Sequence, residues 1–227
     1  MIDTRVVLRG LPSPTLPQLK QAGFTIVGIG VYSPNDEYIP FGDKEWNTLA
    51  NWIKSAHQAG LKTFVHIQDD PRKYKVDQWI SRAASMGVDV IHLDEMLARY
   101  NINAKQLQSL IQAGLKVKPN LLFIVTEYSA GRVSDAYTWT ATYPAVRVAT
   151  DNYDDKSVID LGIQLAQKYG KKPLAWLIFS QGSTSFDTNV HLDDWIAYVK
   201  QRNVNAMFWF IDHRGTWQTQ WQKVLAF

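Results

Sequence analysis

No cysteine occurs among the 227 residues. That absence removes disulfide staples, thiol nucleophiles and Cys-based zinc sites together, so any chemistry rests on carboxylates, imidazoles, hydroxyls or a cofactor. A dominant charge is missing too. Twenty-four Lys+Arg against 21 Asp+Glu leave a net charge of +3, too little for a nucleic-acid or acidic-membrane footprint. The basic stretch Pro71-Arg72-Lys73-Tyr74-Lys75 is short and reads as a solvated loop. No apolar run approaches the roughly 18 residues of a membrane span. Met1-Ile2-Asp3-Thr4-Arg5 runs straight into Val6-Val7-Leu8, without the basic, apolar and small-residue regions of a secretory signal. The expectation is a soluble protein without nucleic-acid or membrane partners, its oligomeric state left open with a leaning to monomer, in a compartment left open between secreted and cytoplasmic.

With 46% hydrophobic residues, disorder is excluded and a substantial core is available. Short apolar runs alternate with amphipathic helical stretches along the whole chain, the signature of parallel βα units. The predicted strands are Arg5–Leu11, Thr25–Tyr32, Lys62–Gln68, Val88–Asp94, Leu121–Glu127, Val146–Asp151, Leu174–Gln181 and Ala206–Asp212. The predicted helices are Thr15–Ala22, Lys44–Ala59, Lys75–Met86, Ala104–Leu115, a weaker stretch within Val133–Thr142, Lys156–Tyr169, Leu192–Arg202 and Thr216–Leu225. Gly23, Gly60, Gly87, Gly114 and Gly170 stand at or just past helix ends, where glycine closes a helix before the next strand. Asp43, Asn103 and Asp155 are candidate N-caps. Eight βα rounds in one chain of this size predict a single (β/α)8 TIM barrel, an α/β fold forming one domain over residues 1–227. The alternative, an open doubly wound sheet binding a dinucleotide, lacks a Gly-x-Gly-x-x-Gly after its first strand.

In such barrels the active site lies at the carboxyl ends of the strands. Here those ends are polar nearly all round: Arg9, Tyr32, His66 with Gln68, Asp69 and Asp70, Asp94 with Glu95, Glu127, Asp151 to Tyr153, Ser180 with Gln181, and Asp212 with His213. Period-two alternation puts Val90, His92 and Asp94 on one inward face, with Ile91 and Leu93 toward the helices, and the same reading aligns Phe123, Val125 and Glu127. Arg9, Arg147 and His66 could partner the buried ionisable pair, as substrate-site groups or as a purely structural ion-pair network.

Glycoside cleavage needs one protonated carboxyl near the leaving oxygen and one ionised carboxylate near the anomeric carbon or its water. Asp94-Glu95 and Glu127 on the following strand offer such a set, since neighbouring strands lie only about 5 Å apart. The run Gly87-Val88-Asp89-Val90-Ile91-His92-Leu93-Asp94-Glu95 resembles the fourth-strand motif of barrel glycoside hydrolases, especially the spherulin-4-like galactosaminidases. Those enzymes also carry a Glu ending strand five, where Ile124-Val125-Thr126-Glu127-Tyr128 stands, and Trp79 within Lys75–Ile80 resembles their preceding helix. The resemblance covers Lys62 to Glu127 and departs at Val90, where a small residue is expected. It implies an endo-acting hydrolase on an amino-sugar or related polysaccharide, with Asp94, Glu95 and Glu127 catalytic.

The 9 Trp, 10 Tyr and 9 Phe support a sugar-binding surface, and the expected partner is a carbohydrate substrate. Candidate substrate contacts are Arg9, Tyr32, His66, Tyr128, Asp151, Tyr153, Trp176, Gln181, Trp209 and Asp212. Trp46, Trp52, Trp195 and Trp221 fall at helical spacings and read as wall or core. A divalent metal on Asp94, Asp151 and His66 lacks any fixed ligand spacing, so no metal or other cofactor is expected. Two alternatives remain. One is a barrel that binds carbohydrate without cleaving it. The other is a phosphodiesterase-type barrel, from His213-Arg214-Gly215, a motif that in those enzymes stands on the first strand.

Overall fold

A computed structural model describes residues 16–21, 23–30, 43–151, 156–181 and 192–212. The elements are α1 (Leu16–Gln21), β1 (Ile26–Gly30), α2 (Asp43–Gln58), β2 (Lys62–Ile67), α3 (Val76–Ser85), β3 (Val90–Asp94), α4 (Met96–Tyr100), α5 (Ala104–Val117), β4 (Leu122–Glu127), α6 (Ala130–Trp139), β5 (Val146–Asp151), α7 (Lys156–Lys168), β6 (Leu174–Gln181), α8 (Leu192–Gln201) and β7 (Asn205–Asp212). Seven strands form one sheet in the order of the chain, every neighbouring pair parallel. They are the second to eighth predicted strands. The first predicted strand, Arg5–Leu11, and the last helix, Thr216–Leu225, lie outside the described residues.

The sheet curls around its inner face. Strands β3 and β6 are three positions apart, about 14 Å in a flat sheet, yet the His92 and Trp176 rings meet at 4.2 Å between centroids. Ile26, Phe64, Val90, Ile124, Ala149, Leu174, Trp176 and Met207, from all seven strands, form one buried interior cluster. Residues of the opposite parity, such as Val65, Ile91, Leu93, Phe123, Val125 and Val148, pack outward against α2, α3, α5 and α6 in a second, larger core. Gly28 is required on the inner face, because a Cβ there would sit 1.9 Å from the Phe64 ring.

The helices form where their apolar stripes predict. On α2, Trp46, Leu49, Ile53 and Ala56 are buried. Asn103 caps α5 in a reciprocal box with Gln106. Gly23, Gly60, Gly87 and Gly170 have positive φ after their helices. Gly114 does not close a helix as expected. It lies within α5, which runs on to Val117, and a Cβ there would be 2.7 Å from both Leu121 and Phe123. Its role is close approach of helix to sheet. The weak fifth helix falls earlier than expected, at Ala130–Trp139, because Val133, Ala136 and Tyr137 form its buried stripe and Thr140 ends it. The one-turn α4 has no counterpart in the predicted elements.

Candidate active site

The carboxyl ends of β2, β3, β4 and β5 bring together Asp69, Asp70, Asp94, Glu95, Glu127 and Asp151, all buried. Asp94 ends β3 on the interior parity. Its Oδ2 accepts from Gln68 Nε2 at 3.0 Å, and the same amide reaches Glu95 Oε2 at 3.1 Å. Gln68 therefore ties the two adjacent carboxylates together. Below Asp94, His66 Nε2 is 3.7 Å from Oδ2 and His92 Nε2 is 3.6 Å from Oδ1. His66, His92 and Asp94 thus form a buried ionisable cluster on the inner face of the sheet.

Glu95 turns the chain from β3 into α4. Its N–H still donates to Thr126 O at 2.9 Å as a continuation of the sheet, while its own φ is +52°. A left-handed conformation in a residue with a long side chain costs on the order of 1 kcal/mol and persists only where the surroundings enforce it. Here Arg99, one turn on, grips Glu95 Oε2 through Nε at 3.1 Å and Nη2 at 2.6 Å.

Glu127 ends β4 but points away from the barrel axis, which corrects the expected inward alignment of Phe123, Val125 and Glu127. The inward set of β4 is Ile124 and Thr126: Ile124 belongs to the interior cluster, and Thr126 Oγ1 lies 2.7 Å from His92 Nε2. Glu127 instead lies beneath α4, where Oε1 accepts from Leu97 N at 2.7 Å and Oε2 from Ala98 N at 3.1 Å. Burial pushes its carboxyl up to about 8, the two backbone donors oppose the rise without cancelling it, and Glu95 adds repulsion.

Asp69 was part of the predicted polar ring but not of the candidate site. It is buried, its Oδ1 has no hydrogen-bond partner among the described residues, and desolvation raises its carboxyl to about 6. The next residue moves the other way. Arg72 clamps Asp70 through Nε and Nη2, both at 2.9 Å, and holds its carboxyl below the usual range. The only sequence signal for Asp69 is its place two residues beyond the end of β2.

Among the candidate substrate contacts, Tyr128 is exposed beside Glu127, and Asp151 is buried at the end of β5. Trp176 and His66 are both buried on the inner face of the sheet, Trp176 completely, because each lies on the interior parity below the strand ends. Gln181 and Asp212 are register partners at the ends of β6 and β7, and Trp209 pairs with Ile178; their side chains, with Arg9, Tyr32 and Tyr153, lie outside the described residues. Trp46 and Trp195 are buried as expected. Among the described residues, no group of three or more His, Asp or Glu side chains is arranged to hold a metal. A cleft of about 570 Å³ opens at the other end of the barrel, lined by Arg147, Lys171 and Lys172 among others.

Comparison with known proteins shows the fold. The structure superimposes on Thermotoga maritima Cel5A in complex with cellobiose with a TM-score of 0.66 and 13% identity, over 99% of this chain and 94% of that one. It matches the catalytic domain of the Thermobifida fusca endoglucanase Cel5A at 0.64 and 13% identity, over 93% and 85%. An HpcH/HpaI aldolase from Desulfitobacterium hafniense matches nearly as well, at 0.61 and 12% identity over 99% and 92%. No family model and no curated protein matches the sequence. The architecture is thus that of barrel enzymes of more than one chemistry.

Proposed function

We propose that this chain is a glycoside hydrolase, a single (β/α)8 domain over residues 1–227 that cleaves a polysaccharide, in keeping with its resemblance to the spherulin-4-like galactosaminidases. The observation that carries the proposal is the set of three carboxyls on adjacent strand ends in unlike surroundings. Glu127 is kept protonated near neutral pH by burial, Glu95 is ion-paired to Arg99, and Asp94 lies between two imidazoles. Carboxyls with opposed environments are what acid and base roles require.

In this reading Glu127 donates its proton to the leaving glycosidic oxygen, and Asp94 acts as the nucleophile or as the base for water. Glu95 shares Gln68 with Asp94, and its charge adds to the burial that keeps Glu127 neutral. Tyr128 offers an aromatic face to a sugar ring, and Asp151 and Asp212 bind hydroxyls. The likeness to cellulases supports this reading at the level of fold, as does the polar ring of strand ends. Turnover by Asp94→Asn, Glu95→Gln and Glu127→Gln tests it, with polymer binding followed alongside: turnover is expected to fall at least a hundredfold in Asp94→Asn and Glu127→Gln with binding retained. Full activity in both variants overturns the assignment.

One observation favours a second reading, a barrel that binds carbohydrate without cleaving it: α4 covers Glu127 completely. Polymer binding without reducing-end release by the wild type selects this alternative.

A further inference from the structure

His66 and His92 are register partners on β2 and β3, both buried on the interior face. Their Nδ1 atoms are 2.9 Å apart. Two nitrogens at that distance share one hydrogen: none would set lone pair against lone pair, and two would collide. The ring that accepts at Nδ1 must carry its own hydrogen on Nε2. The neutral pair therefore holds two hydrogens, a third fills the remaining Nε2, and a fourth is excluded.

Both Nε2 atoms lie close to a single carboxylate, Asp94, His66 Nε2 at 3.7 Å from Oδ2 and His92 Nε2 at 3.6 Å from Oδ1, beyond hydrogen-bond length. The neutral pair places one Nε2–H near that carboxylate, and the cation places two. Thr126 accommodates either state, because its hydroxyl, 2.7 Å from His92 Nε2, can donate to a lone pair or accept from N–H. The Trp176 ring, 4.2 Å from that of His92 by centroids, walls the pair from water and favours a cation against its face. Other charged side chains on the interior parity of the described strands are Lys62 and Arg147, near the opposite end of the barrel, and Asp151, at the end of β5. Glu127 faces α4, and β4 directs Thr126 at the pair.

We propose that His66 and His92 take up one proton as a unit and serve as the charge partner of Asp94, positioning residues for that carboxylate rather than ligands of substrate. Transfer of the proton from His66 Nε2 to Asp94 Oδ2, once the two close to hydrogen-bond distance, breaks an N–H bond, forms an O–H bond and leaves the net charge of the His66–His92–Asp94 unit unchanged at zero. The carboxylate can thus change protonation state without stranding a net charge in the barrel.

Long-range ¹H–¹⁵N spectra of the imidazoles in the full chain, recorded across the acid to neutral range, test this without reference to any substrate. The expected result is one shared midpoint for the His66 and His92 rings with uptake of a single proton, and a midpoint at least one pH unit lower in Asp94→Asn. Two independent midpoints, no protonation before unfolding, or an unmoved midpoint in a folded Asp94→Asn overturns it. If that variant does not fold, His66→Gln replaces it, and His92 is expected to titrate alone with a changed midpoint; an unchanged one contradicts the coupling. The kinetic consequence alone rests on the hydrolase reading: His92→Gln is expected to shift the pH profile of kcat while KM stays within twofold. Failure of that reading leaves the spectroscopic outcome standing.

Discussion

Replacing Glu127 by Gln isolates the effect of one buried carboxyl. In the fold its pKa is raised from 4.5 to about 8, mainly by burial. A group whose folded pKa lies above its unfolded value contributes stability in full below the unfolded value and loses it as pH rises through the folded one. Between pH 5 and pH 8 the wild type therefore gives up on the order of 3 to 4 kcal/mol through Glu127, at about 1.4 kcal/mol per pH unit. Gln does not titrate. It keeps an oxygen for Leu97 N but sets an amide against Ala98 N, a loss of about 1 kcal/mol at every pH. Thermal unfolding of both proteins at the two pH values gives the comparison, and other titrating groups cancel. Glu127→Gln is expected to be slightly less stable than wild type at pH 5 and more stable at pH 8, with the Tm difference swinging by about 10 °C at roughly 2 to 4 °C per kcal/mol. A Tm difference that is the same at both values refutes the neutral, buried carboxyl.

Asp69→Asn is expected to gain stability relative to wild type as pH rises through about 6, because desolvation raises the native carboxyl; paired urea titrations on either side of that pH read the sign. Gly114→Ala forces a methyl to within 2.7 Å of Leu121 and Phe123, and a cost of about 1 to 3 kcal/mol, seen as a lowered Tm, is expected from the overpacking. Asn103→Ala removes the bond that Gln106 N donates to the Asn103 side chain while leaving the backbone N–H of residue 103 free to donate to Gln106 Oε1, and is expected to cost about 1 kcal/mol in denaturant unfolding.

The barrel pattern was legible because buried parallel strands read as continuous Val, Ile, Leu and Phe runs between amphipathic helices. The third-to-fourth-strand region shows the strength of that signal: Val88–Asp94 was expected and Val90–Asp94 is found. The same property hid the orientation of Glu127. Both faces of β4 are buried, Leu122-Ile124-Thr126 and Phe123-Val125-Glu127 are equally apolar below a polar end, and alternation cannot choose between them. Only the register with β3, where Asp94 pairs with Thr126, does so. The depth of Trp176 was not legible for a related reason, since distance below the mouth of the barrel depends on strand stagger. The position of Asp94 and Glu95 at a strand end was legible from the apolar run before them. The Gln68 bridge, the left-handed turn at Glu95 and the buried Asp69 Oδ1 without a hydrogen-bond partner among the described residues are tertiary facts with no local pattern in the chain.

Hydrolysis by carboxylates at the ends of β3 and β4 is the central claim. Its most direct test is reducing-end release from galactosamine-, glucosamine- and glucan-based polymers, with wild type, Asp94→Asn and Glu127→Gln compared and a chelator present in a parallel series. The expected result is release from one polymer class by the wild type, unchanged by chelation and lost in both variants while each remains folded. Release that persists in both variants, or no release from any polymer by the wild type, contradicts it.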